Sequence, residues 1–298
     1  MTVYFLSQKP AAPSGGCWFL ARLAGMLPDA VVAQTDPFLV DWDAHPEKQA
    51  RTTLGPLEPT SKDVIVVPEF LWDAFRNPSL FPLTRKVMFL QSETWLDKRF
   101  DLHGVEAWTC SRYLCNYLKR VHGIPSKKIT PFVDDDVWHT VPKRDRQVLV
   151  MARRNPYYED MLERLGQAGW PYIAIHKPIS QRELSDYLAE SDYYVHLTHP
   201  EGFPELCLEA MRSKTVVVGT TGGGGVEFEF DMQTAKVIQD PRSGHYEDNG
   251  EFVNRVMNGL EFLQGDLARK EKIRNQGYDW SLRYTEEQTK KELLEALG

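Results

Sequence analysis

In the stretch EGFPELCLEAM, residues 201–211, two carboxylates stand eight positions apart around a Gly, a Pro and an apolar run. Pro204 suits the first position of a helix, where its missing N–H leaves nothing unpaired, and ELCLEAMRS continues with good helix formers. Glu201 then lies in the loop before the helix and Glu209 more than one turn inside it, roughly 8 Å along the axis at 1.5 Å per residue. Between them is a helix N-terminus whose amide groups favour a phosphate-bearing ligand. A nucleoside diphosphate sugar fits this spacing. The diphosphate would face the helix start, one carboxylate would accept hydrogen bonds from sugar hydroxyls, and the other from ribose hydroxyls. The next run, TVVVGTTGGGG (215–225), adds a strand and a glycine loop whose backbone can approach a ligand closely, and Glu227 follows. Singly, each feature also reads as ordinary structure, a solvated helix face or a flexible turn. Their order and compactness favour the site.

Such residues need a rigid scaffold. Uninterrupted apolar runs recur at VYFL (3–6), DAVVA (29–33), DVIVVP (63–68), KVMFL (86–90), QVLVMA (147–152), YIAI (172–175), YYVHL (193–197), TVVVG (215–219) and AKVIQ (235–239). They suit parallel strands covered on both faces. Segments with helical spacing lie between them. Leu20, Leu23 and Leu27 share a face after Ser14-Gly15-Gly16, and Leu162 and Leu165 share another before Gly169. The alternation indicates an α/β protein with parallel sheets. The polar, Pro-containing segment 129–147 marks a domain boundary. The reading is a first Rossmann-like domain at 1–135, a second at 136–276, and a charged helical end at 277–298 with Tyr278, Trp280, Leu282 and Tyr284 as apolar anchors. Gln91, Ser92 and Glu93 follow the strand KVMFL, at the end where open α/β sheets bind ligands, and are read as acceptor-side residues.

At 298 residues and 42% hydrophobic content, the chain can bury two cores. Its formal charge of -7 is uneven: residues 1–135 hold 15 Lys+Arg and 15 Asp+Glu, residues 136–298 hold 20 and 27. Net charge therefore gives no support to a duplex nucleic acid partner. Cys17, Cys110, Cys115 and Cys207 lack C-x-x-C spacing and read as reduced core thiols. The start MTVYFLSQKP has no signal-peptide pattern and no apolar run reaches about 18 residues. A cytoplasmic protein without integral membrane association is expected. Asp41-Trp42-Asp43 matches a metal-binding D-x-D pattern without a nucleotide-binding context, Asp134-Asp135-Asp136 reads as a solvated linker, and His196 and His199 read as packing or polar residues. No metal site is expected.

EGFPELCLEAM resembles the E-G-F-P-x-x-x-x-E-A-M signature of the retaining glycosyltransferases known as group 1, which have the GT-B architecture. The two glutamates of its E-x7-E motif fall on Glu201 and Glu209. KTVVVGTTGGGGVEF is similar to the family's next element, a strand leading to a glycine loop and a glutamate, here Glu227. GIPSKKITPFVDDDVW (123–138) resembles its interdomain passage, and GYDWSLRYTEEQTKKELLEAL (277–297) its C-terminal helix, which crosses back to the first domain. VLVMARRNP (148–156) occupies the place of a strand ending in a phosphate-binding Arg with a Lys five residues later. Here Tyr158 and Glu159 stand five after Arg153 and Arg154, so Arg154 would supply the second charge. PSGGCWFLARLA (13–24) resembles, more loosely, the Gly-Gly loop that opens the first helix.

The resemblance implies two Rossmann-like domains across a cleft and a metal-independent transfer of sugar from a nucleotide diphosphate donor, UDP- or GDP-linked, with retention. It implies catalytic roles for Glu201, Arg153 and Arg154. Donor binding would fall to Glu209, Gly202, Phe203, Gly222, Gly223, Gly224 and Glu227, with Gly15 and Gly16 facing the donor. The donor is a co-substrate and no cofactor is expected. The acceptor stays open as a glycan, lipid, small molecule or modified DNA, and the oligomeric state is open too. Two alternatives stand beside this reading: a glycosyltransferase acting on hydroxylated DNA bases, and a non-catalytic nucleotide-sugar-binding scaffold. A nicotinamide enzyme is disfavoured, since no G-x-G-x-x-G follows the first strand.

Overall fold

A computed structural model of the chain describes residues 1–7, 15–34, 51–53, 57–72, 81–96, 104–152, 155, 157–198, 200–228, 235–237 and 249–298. They form two compact units: Met1–Pro131 with Glu287–Gly298, and Phe132–Glu286.

Unit 1 is built on β1 (Val3–Ser7), β2 (Ala30–Gln34), β3 (Arg51–Thr53), β4 (Val64–Pro68), β5 (Arg85–Leu90), β6 (Glu106–Thr109) and β7 (Ser126–Lys128). They pair in parallel in the order β3-β2-β1-β4-β5-β6-β7. Central β4 reads VIVVP and all five residues are buried, as expected of a strand covered on both faces. The three strands absent from the apolar-run reading are RTT, EAWT and SKK. Each is short, RTT and SKK are polar, and β3 and β7 are the sheet's edges, where one flank needs no apolar partner; EAWT is too short for a run, although Ala107 and Trp108 are buried. Helix α1 (Gly15–Gly25) buries Leu20 and Leu23 completely, whereas Leu27 lies beyond its end and is half-buried. Helix α2 (Arg112–Tyr117) is capped by Ser111, whose Oγ accepts from the Leu114 amide.

The second piece of unit 1 arrives from the far end of the chain. Helix α8 (Glu286–Leu297) buries Thr289, Leu293, Ala296 and Leu297. Arg85 donates to the carbonyls of Ala296 (2.9 Å) and Leu297 (2.6 Å), and Lys127 Nζ to that of Ala296 (2.8 Å). Two cations thus hold the last carbonyls of a helix, which have no partner within it. Glu106 grips Arg85 through two hydrogen bonds of 2.8 and 2.5 Å. Earlier along α8, Glu292 accepts from the Thr130 amide and Thr289 donates to the Thr130 carbonyl.

Unit 2 contains β8 (Arg144–Met151), β9 (Tyr172–Ile175), β10 (Ser191–His196), β11 (Val216–Gly219) and β12 (Lys236–Val237), all parallel, in the order β12-β11-β10-β8-β9. Around this sheet lie α3 (Tyr158–Gln167), α4 (Gln181–Glu190), α5 (Glu205–Arg212), α6 (Asn249–Gly265) and α7 (Leu267–Ser281). Val148, Val150, Tyr193, Val195, Val216 and Val218 of the sheet share one core with Met161, Leu165, Phe252, Val256, Leu260 and Ile273. Helix α4 opens with a capping box between Ser180 and Glu183. The Lys143 Nζ lies within hydrogen-bond distance of the carbonyls of Leu188, Ala189 and Ser213 and of Thr215 Oγ1, tying the C-terminal ends of α4 and α5 together.

Several expectations change here. Residues 277–298 are not one helix: 277–281 close α7 within unit 2, and α8 begins afresh at Glu286. The anchors differ as well. Ile273, Gly277 and Ser281 recur every fourth residue on the inner face of α7, while Leu282, past its end, is exposed. The acidic linker is not simply solvated. Asp134 is buried, its carbonyl accepts from the amides of Val137 and Trp138, and Asp135 pairs with the buried Arg212. Among the cysteines, Cys110 and Cys207 are buried and Cys17 and Cys115 only half-buried; all four are free thiols. No helix among the described residues is long and apolar enough to cross a membrane.

Candidate functional site

Each sheet reverses its strand order once, between β1 and β4 in unit 1 and between β8 and β10 in unit 2. Crevices at the C-terminal ends of such strands are where open α/β sheets bind ligands. In unit 2 the chain leaves β10 at His196 and runs through Glu201 into α5. Pro204 is not the first helical residue. It precedes the helix with φ -78° and ψ 76°, and Glu205 donates its amide to the Phe203 carbonyl across it (2.9 Å). That is an inverse γ-turn, which the fixed φ of proline favours as much as it favours a first helical turn.

The Glu201 loop and the glycine loop are fastened to each other. Glu201 donates its amide to Gly222 O (2.6 Å) and accepts from the Gly224 amide (2.8 Å), with a bridge between Glu201 and Gly223. A Cβ on Gly224 would lie 2.0 Å from Gly202 O, and one on Gly222 would lie 2.8 Å from the Glu201 Cβ. Gly222 also has φ +63°, a conformation that costs other residues steric strain. Glycine is therefore required here by close approach of two backbones. Gly223 donates to Thr221 Oγ1, Gly224 to Glu201 and Gly225 to Thr221 O. Of the three, the Gly224 amide holds the loop carrying Glu201.

Glu209 lies half-buried on α5, whose Cys207, Leu208, Ala210 and Met211 are buried. Beneath the two glutamates are Cys207, expected as a core thiol, and Tyr194, which the sequence reading did not single out. Burial pushes both pKa values well up, and the charges of Glu201 and Glu209 both add to the rise. The Tyr194 hydroxyl lies 3.2 Å from Nδ1 of buried His196, and His196 Nε2 would be 3.3 Å from a Cβ on Gly222. A tyrosine and a histidine alternating in YYVHL were the available signal: polar groups spaced by two on one face of a buried strand. Phe203 is buried with its ring 6.1 Å from that of Tyr284, and Glu227 lends its carbonyl to the Tyr284 hydroxyl (3.4 Å). Arg153, Arg154, His199 and Asp41-Trp42-Asp43 lie outside the described residues. The turn that follows the arginines is shaped by Asn155, which donates to Met151 O and accepts from the Tyr157 amide.

In unit 1, Gly15 and Gly16 open α1, and Gly16 meets Gln91: a Cβ there would lie 1.9 Å from Gln91 Oε1. Gln91, Ser92 and Glu93 follow β5, as expected, and Ser92 accepts from the Thr94 amide. Next to them is Glu69, missed in the sequence although it directly follows the wholly apolar strand VIVVP. Among the described residues no group of three His, Cys, Asp or Glu side chains is arranged to hold a metal ion.

A model of the family described as Glycosyl transferases group 1 matches residues 121–247. The comparison with curated proteins returns no match. Solved structures match across the chain. Sucrose-phosphate synthase from Thermosynechococcus elongatus aligns with a TM-score of 0.75 and 15% identity, covering 99% of this chain and 97% of that one. HepE of Anabaena, in complex with UDP and glucose, aligns with a TM-score of 0.76 and 14% identity, covering 100% and 99%. A glycosyltransferase from Rickettsia africae aligns with a TM-score of 0.70 and 12% identity, covering 99% and 97%. The fold is thus that of GT-B glycosyltransferase structures, two Rossmann-like domains with parallel sheets.

Proposed function

We propose that the chain transfers a sugar from a nucleotide diphosphate sugar to an acceptor hydroxyl, with retention of anomeric configuration and without a metal ion. The observation that carries this reading is the fastening of the Glu201 loop to Gly222–Gly224 at the strand-order reversal of unit 2, with Glu209 on the adjoining helix. The family match over 121–247 spans this set. UDP is the first nucleotide to test, because HepE binds UDP and glucose.

Cleavage of the bond between the anomeric carbon and the diphosphate sends its electron pair to the phosphate oxygen and leaves an oxocarbenium-like carbon. Glu201, held in place through its backbone, orients the sugar through its hydroxyls and lends negative potential to that carbon. Glu209 accepts from the ribose. Arg153, Arg154 and the start of α5 stabilise the departing diphosphate. The acceptor oxygen bonds to the carbon from the face that the diphosphate leaves, and its proton passes to a phosphate oxygen, so no enzymic nucleophile is needed. Gly202 and Phe203 shape the turn into α5, and Glu227 closes the glycine loop.

A thermal-shift panel of UDP, GDP, ADP, TDP and CDP with UDP-glucose tests the reading on the wild type and Glu209→Gln. A ligand at 100 times its dissociation constant adds about 2.7 kcal/mol. One nucleotide family should stabilise the wild type and bind about tenfold more weakly to the variant, and proton NMR of the product should show the donor's anomeric configuration. If no nucleotide shifts the transition at saturating concentration, the donor site is wrongly assigned. An inverted product would overturn the mechanism alone.

A further inference from the structure

Unit 1 holds a second set of buried polar groups, and the donor chemistry uses none of them. Where its strand order reverses, β4 ends at Pro68 and the next residue, Glu69, is only 4% exposed. Glu69 Oε1 accepts from the Ser92 amide (3.0 Å), which fixes the carboxylate beside the turn after β5. Gln91 and Glu93 flank Ser92 in that turn. Glu93 Oε1 accepts from the Tyr113 hydroxyl (2.7 Å). Burial first, and then this bond, raise the Tyr113 pKa, so the phenol remains a donor. The other oxygen, Glu93 Oε2, and the amide nitrogen Gln91 Nε2 are buried without a hydrogen-bond partner among the described residues. Gly16 lets the first turn of α1 come down onto the Gln91 carboxamide.

A buried donor and a buried acceptor on the same turn, both unsatisfied, are costly in the free protein and ask for a ligand that both gives and receives hydrogen bonds. A hydroxyl does this. Carboxylates bind hydroxyl donors strongly and repel phosphates and other carboxylates. The set also occupies the position where an open α/β sheet binds its ligand.

We propose that Glu69, Gln91, Glu93 and Tyr113 form an acceptor site for an uncharged polyhydroxyl molecule, the end of a neutral sugar or glycoside. This rests on the transferase reading above, which leaves the acceptor open.

The test is ligand-observed NMR titration of the intact chain, without nucleotide, against methyl glucoside, methyl galactoside, methyl mannoside, maltose, glucose 6-phosphate, glucuronate and a short DNA duplex. At least one neutral saccharide should bind, at least tenfold tighter than the phosphorylated or uronic sugars or the DNA. Glu93→Gln and Glu69→Gln each keep an oxygen to accept from Tyr113 or from the Ser92 amide, so both should fold. Each should weaken the neutral saccharide at least tenfold while leaving UDP-induced stabilisation unchanged. If either variant melts early, the ranking of ligands on the wild type decides. Preference for an anionic ligand, no neutral binder, or unchanged affinity in both variants overturns the proposal. UDP binding on the same samples separates the two failures: with UDP bound and no neutral saccharide bound, only the acceptor assignment falls, and with neither bound the transferase reading falls with it.

Discussion

At the scale of single residues, the proposed donor site depends on side chains that are absent. Gly224 packs its Cα against the Gly202 carbonyl, and Gly222 packs against Glu201. The Gly224 contact cannot be relieved by turning a flexible side chain, because the opposing atoms belong to the backbone. Gly224→Ala should therefore push the two loops apart, weaken nucleotide binding at least tenfold and destabilise unit 2 by about 2 kcal/mol. Calorimetric titration with UDP and urea unfolding of the same variant check this, and unchanged affinity would show that the fastening does not position Glu201. The two glutamates and the glycines were legible in the sequence because their spacing is local. Glu69 was not, because what makes it notable is burial beside a residue distant in the chain, Ser92, 23 positions away.

At the scale of elements, helix α5 carries Glu209 and ends in a six-residue closure. Thr215 donates to Ala210 O (2.8 Å) and Lys214 to Met211 O (3.0 Å), with Lys214 at φ +58°. This is a Schellman motif whose left-handed position holds lysine where glycine is favoured. The Lys214 ammonium lies 4.9 Å from the Tyr278 ring centroid, which offsets part of the strain. Lys214→Gly should stabilise unit 2 by about 0.5–1 kcal/mol, measured as a raised urea midpoint with an unchanged m-value, without altering nucleotide affinity. A lowered midpoint would mean that the ring contact outweighs the backbone strain. Helix α5 and the apolar strands were readable from pattern, since burial on both faces demands unbroken Val and Ile. Strands RTT, EAWT and SKK, by contrast, owe their conformation to neighbours that already present free hydrogen-bonding groups, a tertiary cause that leaves no local mark.

For the molecule as a whole, unit 1 is assembled from two pieces of chain separated by all of unit 2. Sequence periodicity showed a charged helix at the end of the chain but could not show which residues receive it, because the receiving groups are Arg85, Glu106 and Lys127 in β5, β6 and β7. Arg85 spans both tasks, bonded to Glu106 on one side and to the last carbonyls of α8 on the other. The Arg85 hydrogen bond holds the Glu106 pKa below its ordinary 4.5, outweighing partial burial, with further help from the charges of Arg85 and Lys127. A carboxylate with a depressed folded pKa contributes stability that is complete above the unfolded value and is lost as pH falls through the folded one. The lock on α8 should accordingly be at full strength at neutral pH and weaken only below about pH 4.5. Glu106→Gln removes the charge while keeping an oxygen for Arg85. The wild type should melt higher than this variant at pH 7, and the difference should shrink steadily as pH is lowered from 4.5 toward 3. A difference independent of pH would show that Glu106 acts through packing alone and that the returning helix is held by Arg85 and Lys127 without it.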